Sequence, residues 1–101
     1  MKNAIIHGFL STVILNLLKD KPLHGYGIKL AIYKRYKLRL PLSSIYPLLR
    51  NMERRGLIKS AWDVSQKRAK RVYVVTGNGE KELAIDTMEL KVVVAPLLSQ
   101  K

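Results

Sequence analysis

Apolar side chains recur in pairs, four residues apart, along the first part of the chain. The pairs are Ile5/Ile6, Phe9/Leu10, Val13/Ile14 and Leu17/Leu18. A spacing close to 3.6 residues places them on one face of an α-helix, so the pattern predicts a buried amphipathic helix over about residues 3 to 19. Pro22 limits its end, because a proline disfavours helical backbone in the residue before it.

A second helix is predicted after a short connection at Leu23 to Tyr26. Its inward stripe consists of Ile28, Ala31 and Ile32, and it extends to about Tyr36. A basic elbow follows, formed by Lys34, Arg35, Lys37 and Arg39 ahead of Pro41.

A third helix has the clearest division between an apolar face and a polar face. Ile45, Leu48, Leu49 and Met52 share one side when the segment is placed on a helix. Ser43 is the expected N-cap, because Pro47 then lies near the first turn, where proline is tolerated. A start at Pro41 or Leu42 would instead imply a strained or tightened first turn. Gly56 is expected just beyond the C-terminus.

The next segment predicts a hairpin of two strands. Leu57 to Asp63 and the β-branched run Val72 to Val75 flank a polar, basic connection. Cations cluster at or near the hairpin tip, with no acidic residue between positions 65 and 71; they are Lys67, Arg68, Lys70 and Arg71. This hairpin is interpreted as a wing that contacts DNA, and the alternative is an ordinary exposed loop.

A long apolar helix is predicted at the end of the chain, with Thr76 or Asn78 as N-cap. Residues spaced by four and three form a seam along it: Leu83, Thr87, Leu90, Val94 and Leu97. A helix this apolar would leave an exposed patch on a small domain, so the seam predicts a homodimer. The first helix is a further candidate for that interface. The alternative is a monomer with the last helix folded against the first.

The charge of the 101-residue chain is +12 and is unevenly distributed. Residues 34–71 carry twelve Lys and Arg against Glu53 and Asp63, a net charge of +10. A basic centre followed by a nearly neutral C-terminal end indicates a polyanionic partner bound by one face. With an apolar fraction of 48%, the chain is predicted to fold rather than to be a disordered basic tail.

The outer face of the third helix is the main candidate for reading DNA. Arginine and asparagine side chains suit base edges, and hydroxyls suit either bases or phosphates. Arg50 and Asn51 are the candidates for base edges, and Arg54 for a base or a phosphate. Backbone contacts are expected from the hydroxyls at the start of the helix and from the elbow: Ser43, Ser44, Tyr46, Lys37 and Arg39. The alternative is an ordinary amphipathic surface helix.

Other chemistry has little support in the sequence. The chain has no cysteine, and its only histidines, His7 and His24, are far apart. We therefore expect no metal, no cofactor and no enzymatic activity. The apolar segment from Ala4 to Leu18 is too short to span a bilayer and lacks a signal-peptidase motif, so a cytoplasmic, nucleoid-associated location is expected.

Four segments together resemble the PadR-like transcriptional regulators. They are Gly8 to Leu18 leading into Pro22-Leu23-His24-Gly25-Tyr26; Ile45-Tyr46-Pro47-Leu48-Leu49 followed by Met52-Glu53 and Gly56-Leu57-Ile58; Trp62; and Arg71 to Thr76 with Gly79. The resemblance covers about residues 8 to 83. It implies a homodimeric, ligand- or stress-responsive regulator, usually a repressor of a palindromic operator, in the short form with one helix after the wing.

Some positions depart from the family pattern. Gly27 replaces a usual acidic residue, Pro41-Leu42-Ser43 replaces the usual start of the recognition helix, and the wing lacks the usual glycine and proline. The last helix has no tryptophan, whereas some short members bind aromatic drugs between tryptophans there. The resemblance therefore does not imply drug sensing, and the effector remains open.

The expected fold is mainly α with a small β-hairpin: a winged helix-turn-helix with a three-helix core, a wing and a C-terminal dimerisation helix. Residues 1–76 are the expected DNA-binding domain and residues 77–101 the dimerisation helix. The expected function is a transcriptional regulator that binds double-stranded DNA sequence-specifically, and the resemblance implies a homodimeric repressor. The alternatives are an architectural DNA-binding protein without sequence preference and a protein-interaction adaptor.

Overall fold

The computed structural model describes the backbone of residues 2–65 and 67–99, and the side chains of residues 8–65 and 67–89. Four helices and three short strands follow one another along the chain. They are α1 (Lys2–Asp20), β1 (Leu23–His24), α2 (Gly25–Tyr36), α3 (Leu42–Arg54), β2 (Ile58–Asp63), β3 (Lys70–Val75) and α4 (Gly77–Ser99). The order confirms the predicted winged helix-turn-helix with a long helix after the wing.

The core lies where α1, α2 and α3 meet the sheet. The predicted inward stripe of α3 is confirmed, since Ile45, Leu49 and Met52 are at most 1% exposed. From α1, Ile14 and Leu15 are fully buried in the same core. The sheet closes the core through Ile58 and Tyr73. This burial leaves the opposite face of α3 outside the core.

The sheet has three strands rather than the two of the predicted hairpin. β2 and β3 pair antiparallel from Ile58 opposite Val75 to Asp63 opposite Lys70. The segment predicted as a connection at residues 23–24 is β1, which pairs with the other edge of β3, with Leu23 opposite Tyr73. A two-residue strand is too short to show any alternation in sequence, which is why the pattern missed it.

The prediction that Ser43 is the N-cap of α3 was wrong. Pro41 is the N-cap, with φ −72° and ψ 153°, and its carbonyl accepts hydrogen bonds from the N–H groups of Ser44 at 2.9 Å and Ile45 at 3.3 Å. The bond to Ser44 spans three residues, as in a 3₁₀ turn, so the first turn is tightened as an early start requires. Pro47 then lies further inside the helix than expected.

The end of α3 matches the prediction from Gly56. Gly56 has a φ of 75°, and its N–H donates to the Glu53 carbonyl at 3.0 Å. The Leu57 N–H donates to the Met52 carbonyl at 3.0 Å, which completes a Schellman motif. The chain therefore turns sharply from α3 into β2.

The beginning of α4 is fixed by Thr76, one of the two predicted N-caps. Its hydroxyl oxygen accepts a hydrogen bond from the Gly79 N–H at 3.0 Å and lies 2.7 Å from the Gly56 carbonyl oxygen, to which it can donate. A Cβ atom at Gly79 would collide with the Leu57 carbonyl oxygen. The start of α4 is thus in direct contact with the turn that ends α3.

α4 packs along α1 in the same chain, and the Thr12 hydroxyl lies 3.0 Å from Asp86 Oδ2. Of the predicted dimer seam, Leu83 is only 6% exposed because it belongs to the core of its own chain, whereas Thr87 is exposed. Leu90, Val94 and Leu97 lie outside the residues whose side chains are described. The exposed apolar side chains beside the seam are Ile85 and Met88. Within the described residues, no helix has the length and apolar character needed to cross a membrane.

Candidate nucleic-acid interface

The face of α3 that points away from the core carries all the candidate contacts predicted on this helix. Every one of them is exposed: Ser43, Ser44, Tyr46, Arg50, Asn51 and Arg54. Because the apolar stripe of the same helix is buried, the helix cannot rotate to hide these side chains. The arrangement presents hydroxyl, guanidinium and amide groups, which are the groups that hydrogen-bond bases and phosphates.

Tyr46 also has a structural contact that the sequence did not reveal. Its ring lies on the backbone of Gly25, at the start of α2. A Cβ atom built on Gly25 would be 2.7 Å from Tyr46 Cε1 and 2.8 Å from its hydroxyl oxygen, closer than real Cβ contacts come. Gly25 therefore lets the two helices of the helix-turn-helix approach, and it holds the ring that is predicted to contact DNA.

The basic elbow between α2 and α3 is ordered around Tyr33. The Arg39 guanidinium lies 4.8 Å from the centre of the Tyr33 ring, and its Nη2 donates to the Tyr33 hydroxyl at 3.3 Å. Lys37 ends α2 in the left-handed region, with φ 57°, and its Nζ is 5.7 Å from the same ring. Cation–π contacts of this kind hold both charges on an exposed surface.

The wing is joined to α3 by a chain of two hydrogen bonds. Arg71 Nε donates to the Ser60 hydroxyl oxygen at 2.8 Å, and the Ser60 hydroxyl donates to Glu53 Oε2 at 2.8 Å. The Arg71 guanidinium also lies over the ring of Trp62, 5.3 Å from its centre. Glu53, on α3, thus orients the wing cation Arg71 through Ser60. This contact gives the acidic residue a structural role within a basic surface.

The turn after β2 is stabilised at Asp63. Its Oδ1 accepts hydrogen bonds from the Ser65 hydroxyl at 2.6 Å and from the Ser65 N–H at 3.0 Å. These bonds lower the pKa of Asp63, and the nearby His24 acts in the same direction. His24 Nε2 is 3.6 Å from Asp63 Oδ2, beyond hydrogen-bond distance. The turn leads to the exposed wing cations Lys67 and Arg68.

A cleft of 730 Å³ lies between α3, the wing and the start of α2. Its walls include the aromatic rings of Tyr26, Tyr46, Trp62 and Tyr73 and the cations Arg50, Lys70 and Arg71. Burial raises the pKa of the Tyr73 phenol, and the charge of Arg71 opposes that shift. The sequence analysis did not predict the cleft, since its walls come from five separate elements, β1, α2, α3, β2 and β3.

The structure thus brings two of the α3 candidates and two of the wing candidates to one place, whereas the other candidates of α3 and the wing do not line the cleft. Arg50 and Tyr46 lie on one side of the cleft, and Lys70 and Arg71 on the other. The part of the chain with described side chains contains no cluster of three histidine or acidic residues that could hold a metal ion. Contact of these residues with DNA stays a prediction.

Comparisons with known proteins agree with this architecture. The profile of the transcriptional regulator PadR-like family matches residues 14–85. Among solved structures, a candidate transcriptional regulator from Thermoplasma acidophilum is 32% identical, with a TM-score of 0.84 over 97% of this chain and 98% of that one. A PadR-like transcription factor from Bacteroides fragilis is 25% identical, with a TM-score of 0.85 over 95% and 93%.

One similar structure contains DNA. It is Bacillus subtilis PadR in complex with operator DNA, which is 29% identical with a TM-score of 0.65, covering 74% of this chain and 44% of that longer one. No protein with a curated description matches the sequence.

Proposed function

The chain belongs to the PadR-like family of transcriptional regulators, and we propose that it is a homodimeric repressor that binds a palindromic operator. The observation that carries this proposal is the exposed polar face of α3, whose opposite face is buried, beside a wing that is basic. The operator complex of the Bacillus subtilis relative supports the choice of double-stranded DNA as partner. Regulators of this family are not enzymes, in agreement with the sequence expectation.

In this proposal α3 enters the major groove. Arg50 and Asn51 contact base edges, and Arg54 a base or a phosphate. The DNA backbone beside the groove is contacted by the start of α3 and by the elbow before it, through Ser43, Ser44, Tyr46, Lys37 and Arg39. The wing cations contact phosphates or the adjacent minor groove, which attracts positive charge; they are Lys67, Arg68, Lys70 and Arg71.

The proposed dimer uses α4, together with α1 against which it packs. Two copies would place their α3 helices in successive major grooves about 34 Å apart, which matches one turn of DNA. The exposed apolar side chains of Ile85 and Met88 support this interface, because an isolated domain would leave them in water. A regulator that acts in this way is associated with the nucleoid.

The decisive experiment is selection of bound sequences from a random duplex library at ~150 mM salt, which suppresses purely ionic binding. The proposal predicts an enriched inverted repeat with half-sites about ten base pairs apart. Replacing Arg50 with Ala should then cost ~1–3 kcal/mol on the selected site and relax one base position. Equal losses on selected and random DNA would show that Arg50 contacts only a phosphate.

A wing cation should behave differently from Arg50. Lys67→Ala should weaken binding to every sequence and reduce the slope of log affinity against log salt by about one unit. The two variants form a matched pair, since each removes one positive charge and only one is expected to change sequence preference.

The second candidate function is architectural binding without sequence preference. The net charge of +10 over residues 34–71 favours it, because that charge alone supports non-specific binding. Recovery of unenriched DNA in the selection would establish this function and exclude the repressor.

A further inference from the structure

The Nε2 atom of His24 is buried and has no hydrogen-bond partner, and it is the one such side-chain atom among the described residues. It lies 3.6 Å from Asp63 Oδ2. His24 is the N-cap of α2, but its side chain does not cap the helix. A buried polar atom without a partner destabilises a fold. Neither helix capping nor a hydrogen bond through Nε2 therefore explains the position of this ring.

The register of the sheet places His24 and Asp63 on the same face. His24 is opposite Val72 on β3, Val72 is opposite Ala61 on β2, and Asp63 is two residues beyond Ala61. Because alternate residues of a strand point to one face, both side chains lie on one side of the central strand. A bond between them would join the edge strands β1 and β2 across β3.

Asp63 connects this contact to the turn of the wing. Its Oδ1 accepts hydrogen bonds from the Ser65 hydroxyl at 2.6 Å and from the Ser65 N–H at 3.0 Å, whereas Oδ2 is the oxygen close to His24. The turn leads to the exposed wing cations Lys67 and Arg68. A group that holds Oδ2 in place therefore also holds the turn that carries these cations.

Protonation changes what His24 can do at this contact. In a neutral imidazole one nitrogen is an acceptor, whereas in the charged ring both nitrogens are donors. A histidine side chain takes up this proton between about pH 5 and 8. The charged ring can donate from Nε2 to Asp63 Oδ2, and closing the 3.6 Å gap by roughly 0.7 Å would give the ~2.9 Å of a charge-assisted hydrogen bond.

Charges of both signs surround His24. The cleft that it lines also contains charged groups from α3 and β3 and three tyrosines: Arg50, Glu53, Lys70, Arg71, Tyr26, Tyr46 and Tyr73. The three cations and the positive end of α2 oppose a charge on His24. Among the described side chains, Asp63 provides the only carboxylate within salt-bridge distance of the ring. Both partners are about one-third exposed, so the contact should change affinity only a few-fold.

We propose that His24 is a positioning residue for DNA binding, whose protonated ring bonds Asp63 and thereby fixes the wing turn that carries Lys67 and Arg68. The inference rests on the proposed function, because it requires the wing to contact DNA. The bond is present below the range in which histidine loses its proton and is lost as the pH rises through that range. DNA affinity should therefore be higher at about pH 5.5 than at about pH 8.

Hydrogen bonds from Ser65 hold the pKa of Asp63 below its ordinary value, so its carboxylate is still charged at about pH 5.5. A double-mutant cycle at the two pH values tests the pair. It compares the full-length chain with His24→Leu, Asp63→Asn and the double variant. Random-sequence duplex DNA is the probe, since wing contacts are expected with every sequence. The coupling should be a factor of about two to five at the lower pH and absent at the higher one.

The matched control is His7→Gln, which removes the only other histidine of the chain. It should keep the pH dependence of DNA affinity, whereas His24→Leu and Asp63→Asn should each lose it. The two single variants remove the same contact from different strands, so a folding defect of one leaves the other as a test.

The Ser65 amide gives a second measurement that needs no DNA. Because its N–H donates to Asp63, its NMR cross-peak should move between about pH 5 and 8 in the original chain and in His7→Gln. In His24→Leu the cross-peak should stay in place over this range.

Each other outcome is decisive as well. Equal coupling at both pH values would overturn the inference. A pH dependence that disappears in His24→Leu but persists in Asp63→Asn would show that the charge of His24 attracts DNA directly, without positioning the wing. A moving Ser65 cross-peak with constant DNA affinity would refute the role in binding. No DNA binding at either pH would refute the proposed function, and the cross-peak alone would then decide whether the two side chains bond.

Discussion

Gly25 and Tyr46 show how one contact joins two separate parts of the sequence. Pro-Leu-His-Gly-Tyr leads into the start of α2 and Tyr-Pro-Leu-Leu lies within α3, and nothing in either segment alone requires the other. The ring of Tyr46 rests on the backbone of Gly25, so any side chain at position 25 would displace it. The glycine is therefore a packing residue of the candidate interface rather than a simple helix breaker.

Replacing Gly25 with Ala should lower the free energy of unfolding by ~1–3 kcal/mol, as expected when an added methyl group overfills a packed site. Gly27→Ala is the control, since its added Cβ would meet Leu23 Cδ2 at an ordinary 3.5 Å. That variant should gain up to about 1 kcal/mol from the better helix propensity of alanine. Urea denaturation of both variants measures the difference, and equal stabilities would contradict the Tyr46 contact.

Asp63 is the carboxyl group whose protonation we expect to loosen the turn of the wing in acid. Hydrogen bonds from Ser65 lower its pKa in the folded chain, so its stabilising effect is present above the unfolded pKa of about 3.9 and is lost as the pH falls through the folded value. We expect the fluorescence of the neighbouring Trp62 to change below about pH 4 as the turn loosens. In Asp63→Asn this acid transition should be absent, and its persistence there would assign it to another carboxyl group.

At the scale of elements, the sequence predicted the helices and strands that have a regular spacing of apolar residues, and it missed the features that have none. The apolar periods of α1 and α3 and the β-branched run of β3 gave their elements correctly, because burial enforces those periods. The two-residue strand β1 is too short to have a period. The N-cap at Pro41 could not be predicted, because it depends on whether the cost of placing Pro47 deeper in the helix is offset by a tightened first turn. The exposed face of α3 followed from its buried face, whereas the cleft needed the packing of α2, α3 and the wing to be known.

Thr76 connects two elements, and its replacement tests that connection. Thr76→Ala removes the cap on the Gly79 N–H and the hydroxyl beside the Gly56 carbonyl, so it should cost ~1–2 kcal/mol of stability. Thr76→Ser retains the hydroxyl and should recover most of that loss. Thermal denaturation compares the three chains, and an unchanged midpoint for the alanine variant would show that water replaces both contacts.

At the scale of the whole molecule, charge and apolar surface are separated along the chain. The basic residues concentrate in the α2–α3 elbow, α3 and the wing, whereas α4 exposes Ile85 and Met88 on a part of the chain with little net charge. Such a separation allows one surface to bind a polyanion while another binds a second copy. The seam predicted from the sequence included Leu83, which is buried within its own chain. The proposed dimer surface therefore consists of its exposed neighbours Ile85 and Met88 instead.

Met88→Glu tests the dimer without disturbing the core, because Met88 is 69% exposed in one chain. We expect this variant to sediment as a folded monomer and to lose most of its affinity for the selected inverted repeat, since one half-site is bound without its partner. Leu30→Glu, which places the same charge on an exposed position of α2, should remain a dimer. A dimeric Met88→Glu protein would exclude this part of α4 from the interface.

The pairing of β1 with β3 has a consequence for the order in which the chain folds. Leu23 and Tyr73 are neighbours in the sheet although they are about fifty positions apart, and closing such a separation is slow compared with forming a helix. During synthesis α1, α2 and α3 can form early, but the central strand reaches its two partners only after residue 75 has left the ribosome. Until then β1 and β2 both present unpaired edges, so a stalled nascent chain is most prone to aggregation at this stage.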